Sequence, residues 1–341
     1  MAPAPLEPGW PSRPDEALLD VRMCDLPLAI DGTLADRIGQ LRGELAARGL
    51  DVPVHFYLSD EWFTPDGQVA VAVPFYLAHP RLEKLELAQI FEVEGGPHEQ
   101  CMRILRHEVG HAIDNAYRLR LRRLRRRIFG SPAKPYPEFY LPRPYSKGFV
   151  LHLDSWYAQS HPDEDFAETF AVWLTPNSDW RQRYTGWRAI RKLEYMDALM
   201  TELRGTAPRL TSAEEVEPLR RLRRTLRHHY RNKRRHYGLD YPNFYDRDLR
   251  RLFSADEAYA DSITAAQFIA RNRHTVRRVV AKWTGIYQYT IDQVLEDMIA
   301  RCQELKFRLA VPEEQARQEF TVLLTVQTMN HLHSGGHRVF L

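Results

Sequence analysis

The five residues His107-Glu108-Val109-Gly110-His111 constrain this chain more than any other stretch. They lie among Ile104, Leu105, Ala112, Ile113 and Ala116, a pattern that predicts a largely apolar helix. On a helix, positions i and i+4 sit one turn apart on the same face, so two imidazoles at that spacing can grip one metal ion from one side. Glu108 is rotated away from the histidines, yet its side chain is long enough to reach a metal-bound water. One helical turn thus offers two ligands and a general base. With 14 histidines in 341 residues, chance places H-E-x-x-H in roughly one shuffled chain in thirty. The apolar flanks argue against a surface helix that carries two histidines by accident, because buried imidazoles need partners.

A catalytic zinc usually takes three protein ligands and leaves one position open. The metzincin continuation would need Gly at 114 and His at 117; Asp114 and Tyr117 stand there instead, which excludes that class. The candidates lie downstream, in His161-Pro162-Asp163-Glu164-Asp165-Phe166-Ala167-Glu168-Thr169-Phe170-Ala171-Val172-Trp173-Leu174. Pro162 suits the start of a helix, and acids in its first turn complement the dipole. Glu164 and Glu168 fall one turn apart among core-type residues. Burying them unpaired is costly, whereas a cation or buried histidines would satisfy them.

These stretches, H-E-V-G-H and E-D-F-A-E-T-F, resemble the gluzincin arrangement. They are most similar to the bacterial family of putative zinc-binding metallopeptidases, and more distantly to the catalytic domain of anthrax lethal factor. The resemblance to the bacterial family runs from about residue 50 to about residue 200 and includes Trp156-Tyr157-Ala158-Gln159-Ser160-His161-Pro162. It implies an α+β, zincin-like catalytic domain: a small mixed sheet, an active-site helix and a third-ligand helix. It implies Zn2+ held by His107, His111 and Glu164, with Glu108 as general base. It also implies Glu168 in support of a ligand histidine and Tyr157 as a stabiliser of the transition state. The reverse assignment, Glu168 as ligand with Glu164 near the substrate, is the alternative. Asp114 and Asn115, three and four residues after His111, are candidates to orient a ligand imidazole, or else ordinary helix-surface residues.

The implied reaction is hydrolysis of a peptide bond by a zinc-activated water, with a peptide or protein as substrate. No G-A-M-E-N-like stretch is present, which does not favour an aminopeptidase. Two other functions compete. One is a catalytically inactive zincin-fold protein kept for binding or regulation; retention of His107, Glu108, His111 and Glu164 argues against it. The other is a nucleic-acid or anionic-surface binder using the basic runs Arg118–Arg127 and Arg220–Arg235. A solvated helix face with its leucines packed inward is the plainer reading of the first run. The net charge of only +3 gives no sign of nucleic acid.

The hydrophobic fraction of 44% suits a globular chain with a substantial core. Cys24, Cys101 and Cys302 are scattered without C-x-x-C spacing, which fits a reducing, cytoplasmic setting. Residues 1–15 read as a Pro-rich disordered lead-in without the features of a secretory signal, and no apolar run is long enough for membrane insertion. The catalytic domain is expected over 16–200, followed by a mainly helical C-terminal region over 201–341. A helix is expected over 33–48 with Gly49 as its stop, then strands over 52–58 and 69–77 flanking the turn Thr64-Pro65-Asp66-Gly67. Val69–Val73 is a candidate edge strand for an extended substrate, or an ordinary core strand. Residues 128–146 read as a long loop beside the cleft. Ser212-x-x-Glu215, Ser254-x-x-Glu257, Thr290-x-x-Gln293 and Pro312 mark further helix starts, the first running to about Tyr237. His331, His333 and His337 near the end give only a weak metal signal.

Overall fold

The computed structural model describes residues 9–90, 92–137, 139–140, 142–143, 146–237, 246–333 and 339–340. It is a mixed α and β structure, mostly helical with small sheets. The helices are α1 (Asp15–Leu19), α2 (Gly32–Ala47), α3 (Pro80–Ile90), α4 (His98–Tyr117), α5 (Arg123–Phe129), α6 (Pro162–Leu174), α7 (Trp180–Arg183), α8 (Ile190–Leu203), α9 (Leu226–Tyr237), α10 (Asp246–Leu249), α11 (Ala265–Thr284), α12 (Gln288–Glu304) and α13 (Glu313–His333). The strands are β1 (His55–Ser59), β2 (Ala70–Pro74), β3 (Phe139–Tyr140), β4 (Phe253–Ser254), β5 (Arg308–Leu309) and β6 (Val339–Phe340). Among the described residues no helix is long and apolar enough to cross a membrane.

The chain divides into two compact units. The first comprises Met1–Gln89, Val93–His229 and Val339–Leu341, the second Ile90–Glu92 and Tyr230–Arg338. Residues 201–229 of the expected C-terminal region therefore cluster with the first unit. Of the expected lead-in, residues 1–8 lie outside the described residues. Trp10 is buried against His79, with ring centroids 4.7 Å apart, and Arg81 holds the carbonyls of Pro11 and Arg13.

In the first unit, α2 buries Leu34, Ile38, Leu41 and Leu45, the predicted stripe, and packs on α4. It stops where Gly49 takes a φ of 71° and Leu50 N–H returns to the Leu45 carbonyl. Strands β1 and β2 pair in parallel, His55 opposite Ala70. β2 is not a substrate edge. Its residues are fully buried and, on the side away from β1, Ala72 N–H bonds the Phe63 carbonyl. The turn at 64–68 makes that second pairing by folding the chain back over β2.

The helix expected from Ser212 is absent. Residues 204–218 run without helix, and the Ser212 carbonyl accepts Val69 N–H while the Val216 carbonyl accepts the Tyr57 hydroxyl. Long-range partners beside β1 outcompete the local capping box; a short 3-10 turn follows at Leu219–Arg221 and α-helix resumes at α9. In the basic run 118–127 Leu119 packs inward and Arg118, Arg123, Arg126 and Arg127 are exposed, as expected, but three residues depart. Leu121 and Leu124 are 70% and 44% exposed, whereas Arg125 is 0% exposed.

Helices α4 and α6 pack closely, and α8 also packs on α6. A Cβ placed on Gly110 would lie 2.9 Å from the Ala167 Cα and 3.1 Å from its carbonyl oxygen. Glycine at 110 and a small residue at 167 are what allow the backbones to touch. Gly110→Ala should therefore destabilise the fold by about 1–3 kcal/mol, the usual cost of overpacking. Denaturant unfolding of the variant measures this, and unchanged stability would show that the crossing opens freely.

In the second unit, α11 packs against α12 and α13. Phe253, Phe268 and Phe320 form an aromatic centre with ring centroids 5.8–6.4 Å apart. Thr264 and Gln267 form a capping box at the start of α11. Of the other predicted starts, Pro312 directly precedes α13, Thr290 lies inside the first turn of α12, and Ser254 ends β4 while Asp256 caps a short 3-10 turn. His337 and the side chains of His331 and His333 lie outside the described residues.

Candidate metal centre

The site grows out of the crossing of α4 and α6. His107 and His111 lie three residues before and one after Gly110, and Glu164 and Glu168 stand likewise about Ala167. All four are buried, at 2%, 8%, 5% and 0% exposure. The contact between the helices therefore points two imidazoles and two carboxylates into one small volume.

Three atoms converge. His107 Nε2 lies 3.2 Å from His111 Nε2, and Glu164 Oε2 lies 3.0 Å from the first and 3.1 Å from the second. In a tetrahedral zinc site with bonds of about 2.0–2.1 Å, ligand atoms stand about 3.3–3.4 Å apart. The triangle has nearly that size. The donor chemistry agrees. His107 Nδ1 lies 2.9 Å from Glu168 Oε1, so a neutral imidazole that donates from Nδ1 turns its Nε2 lone pair on the cluster. Glu168 Oε2 is held in turn by Leu153 N–H at 2.9 Å. His107, His111 and Glu164 are a group able to hold a metal ion.

Electrostatics reflect this packing. Burial depresses the His107 pKa, but hydrogen bonds to Glu164 and Glu168 outweigh it and hold the imidazole well above its ordinary value. Burial likewise opposes ionisation of Glu164, yet the imidazoles of His111 and His107 hold its carboxyl well below the usual range. Behind Glu168, burial pulls His152 down to about 4, and its Nε2–H donates to the Arg103 carbonyl at 2.9 Å.

Glu108 is held by the turn that precedes β2. Its Oε2 lies 2.9 Å from the hydroxyl of Thr64, in the turn before β2. The same hydroxyl is 2.9 Å from the Glu108 carbonyl, so one proton serves both acceptors. Asn115 pins that turn to α4 through the carbonyls of Pro65 and Gln68. Tyr157 stands on the short 3-10 segment Asp154–Gln159 with its ring 5.5 Å from that of His107. Burial, then the charges of Glu164 and Glu108, push its phenol well above the ordinary value, so it remains a proton donor.

Asp114 departs from the sequence expectation. Its carboxylate accepts Arg125 Nη2 at 2.7 Å, and Arg120 Nε lies 3.7 Å away. Among the described residues it bonds neither imidazole. One turn beyond His111, it faces Asp163 at the start of α6, which accepts the same Arg125 nitrogen at 2.5 Å. Arg125 therefore clamps the two helices behind the site, its guanidinium over the rings of Phe129 and Phe166. Arg122 pairs with Glu202, and Arg220, Arg224 and Arg227 pair with Glu215, Asp60 and Asp20. These arginines of the two basic runs are thus engaged within the molecule.

Thr64, Arg125 and Tyr136 escaped the sequence reading. Tyr136 donates its hydroxyl to Glu164 Oε1 at 2.8 Å. Its Pro- and aromatic-rich surroundings placed the loop beside the cleft but singled out no residue in it. No curated protein and no solved structure matches the chain. Residues 98–184, from the first residue of α4 to the residue after α7, match the family model of the putative zinc-binding metallo-peptidases.

Proposed function

We propose that the protein is a zinc-dependent metallopeptidase of the gluzincin type, with a zincin-like arrangement of α4 and α6. The observation that carries this reading is the triangle of His107 Nε2, His111 Nε2 and Glu164 Oε2. These three residues hold the metal, and Glu168 fixes the His107 tautomer. When bound, zinc supplies a Lewis acid that polarises the substrate carbonyl and makes water acidic enough to react near neutral pH. The remaining chemistry belongs to the chain. Glu108 Oε2 is committed to Thr64, so Oε1 is the oxygen that receives the proton of the attacking water and returns it to the leaving amine. Tyr157, beside His107, donates to the oxygen that gains charge as the peptide carbonyl becomes tetrahedral. The substrates are peptides or proteins.

Glu108→Gln should keep the fold and the zinc yet lose hydrolysis by about 10²–10⁴-fold, because the amide fills the same space without accepting a proton. Turnover of a broad peptide library by wild type and variant, with zinc measured in both, tests this. Equal turnover would move the base elsewhere. A wild-type protein that carries zinc and cleaves nothing would make the site a binding device.

A further inference from the structure

The two oxygens of Glu164 have different partners. Oε2 faces His107 and His111, whereas Oε1 accepts the hydroxyl of Tyr136. Such a carboxylate can offer a metal one oxygen or both, and the choice decides how much of the coordination sphere remains for water and substrate. We propose that Tyr136 is a positioning residue that holds Glu164 to one-oxygen binding of the zinc. This rests on the reading of His107, His111 and Glu164 as ligands.

Tyr136 is fixed for that task by a single imidazole. Its ring stacks on His161 with centroids 3.8 Å apart and planes 19° apart. His161 Nε2–H donates to the Lys134 carbonyl at 2.7 Å, two residues before Tyr136. His161 Nδ1 accepts Asp163 N–H at 3.1 Å and so caps α6. Both ring nitrogens are committed, and the imidazole is 2% exposed. His161 therefore ties the chain that carries the phenol to the helix end that carries Glu164. Tyr136 itself is 49% exposed. Its hydroxyl is nevertheless directed at Glu164, which is 5% exposed. The surrounding Pro135 and Pro137 limit the backbone freedom of the strap.

The test reads the metal rather than turnover. Tyr136→Phe keeps the stacked ring and removes only the hydroxyl. X-ray absorption of zinc-loaded wild type should show a single shell of four nitrogen or oxygen neighbours at about 2.0–2.1 Å. The variant should gain a further oxygen neighbour as Oε1 is released. In the cobalt-substituted proteins the visible absorption should correspondingly weaken from wild type to Tyr136→Phe, as four-coordination gives way to five. Zinc affinity by chelator competition should fall about tenfold, at the lower end for loss of a group bonded to a ligand. A wild-type site with both Glu164 oxygens bound overturns the proposal whatever the variant does. So does a Tyr136→Phe protein with wild-type spectrum and affinity. Wild-type protein that takes up neither zinc nor cobalt overturns instead the metal reading on which the proposal stands.

Discussion

Replacing Glu164 by alanine should yield a purified protein without zinc, whereas Glu168→Ala should retain zinc at about 10–100-fold lower affinity. The two carboxylates are one turn apart on α6 and equally inaccessible, so exposure does not separate them. Geometry does. Glu164 Oε2 closes a triangle with both imidazoles, and its loss leaves two nitrogens to hold the ion. Glu168 lies on the far ring nitrogen of His107. Its removal frees the imidazole to turn and leaves the Nδ1 proton and Leu153 N–H without their acceptor, but subtracts no ligand. Elemental analysis after gel filtration, followed by chelator titration of the two variants, separates the outcomes. Zinc held at wild-type affinity by Glu164→Ala, with an empty site in Glu168→Ala, would reverse the assignment.

Arg125→Met should lower the free energy of unfolding by about 3–5 kcal/mol, the cost of removing one partner from a buried ion pair. Asp114 on α4 and Asp163 on α6 are 1% and 2% exposed and share the same guanidinium nitrogen. Without it they confront each other, with Arg120 the remaining guanidinium near both among the described residues. Methionine preserves most of the contact with Phe129 and Phe166, so the loss reports charge rather than packing. Arg123→Met, on the exposed face of the same helix, should change stability by no more than about 0.5 kcal/mol. Chemical denaturation of the two variants makes the comparison. Equal midpoints would show that Asp114 and Asp163 are satisfied by other means.

Local periodicity explains how much of this was legible in the chain. The i, i+4 spacing of His107 and His111 and that of Glu164 and Glu168 are properties of single helices, and so is the apolar stripe of α2. The Thr64–Glu108, Arg125–Asp163 and Tyr136–Glu164 contacts join residues 44, 38 and 28 positions apart. Nothing in a helical wheel marks which threonine or tyrosine will arrive. The exchange of Leu124 and Arg125 on α5 has the same origin. Charge patterning places arginine outside and leucine inside, yet two buried aspartates on other helices draw Arg125 in and leave Leu124 in water. The segment near Ser212 shows a local signal overruled: a capping box stabilises a helix by about 1 kcal/mol, less than a set of backbone bonds beside β1 can offset.

The approach of Gly110 to Ala167 makes that contact a pivot with a very short arm. His107 and Glu164 each stand three residues from it, about 4.5 Å along their helices at about 1.5 Å per residue. A swing of ~5° in the crossing angle then carries either ligand's backbone only about 0.4 Å at that rise, while the far end of α4, His98, travels several times as far. Mechanical disturbance entering at the helix ends reaches the candidate ligands strongly attenuated. The insertions and altered loops that such a chain can accept at the periphery of α4 and α6 are therefore far more generous than those it can accept at residues 110 and 167.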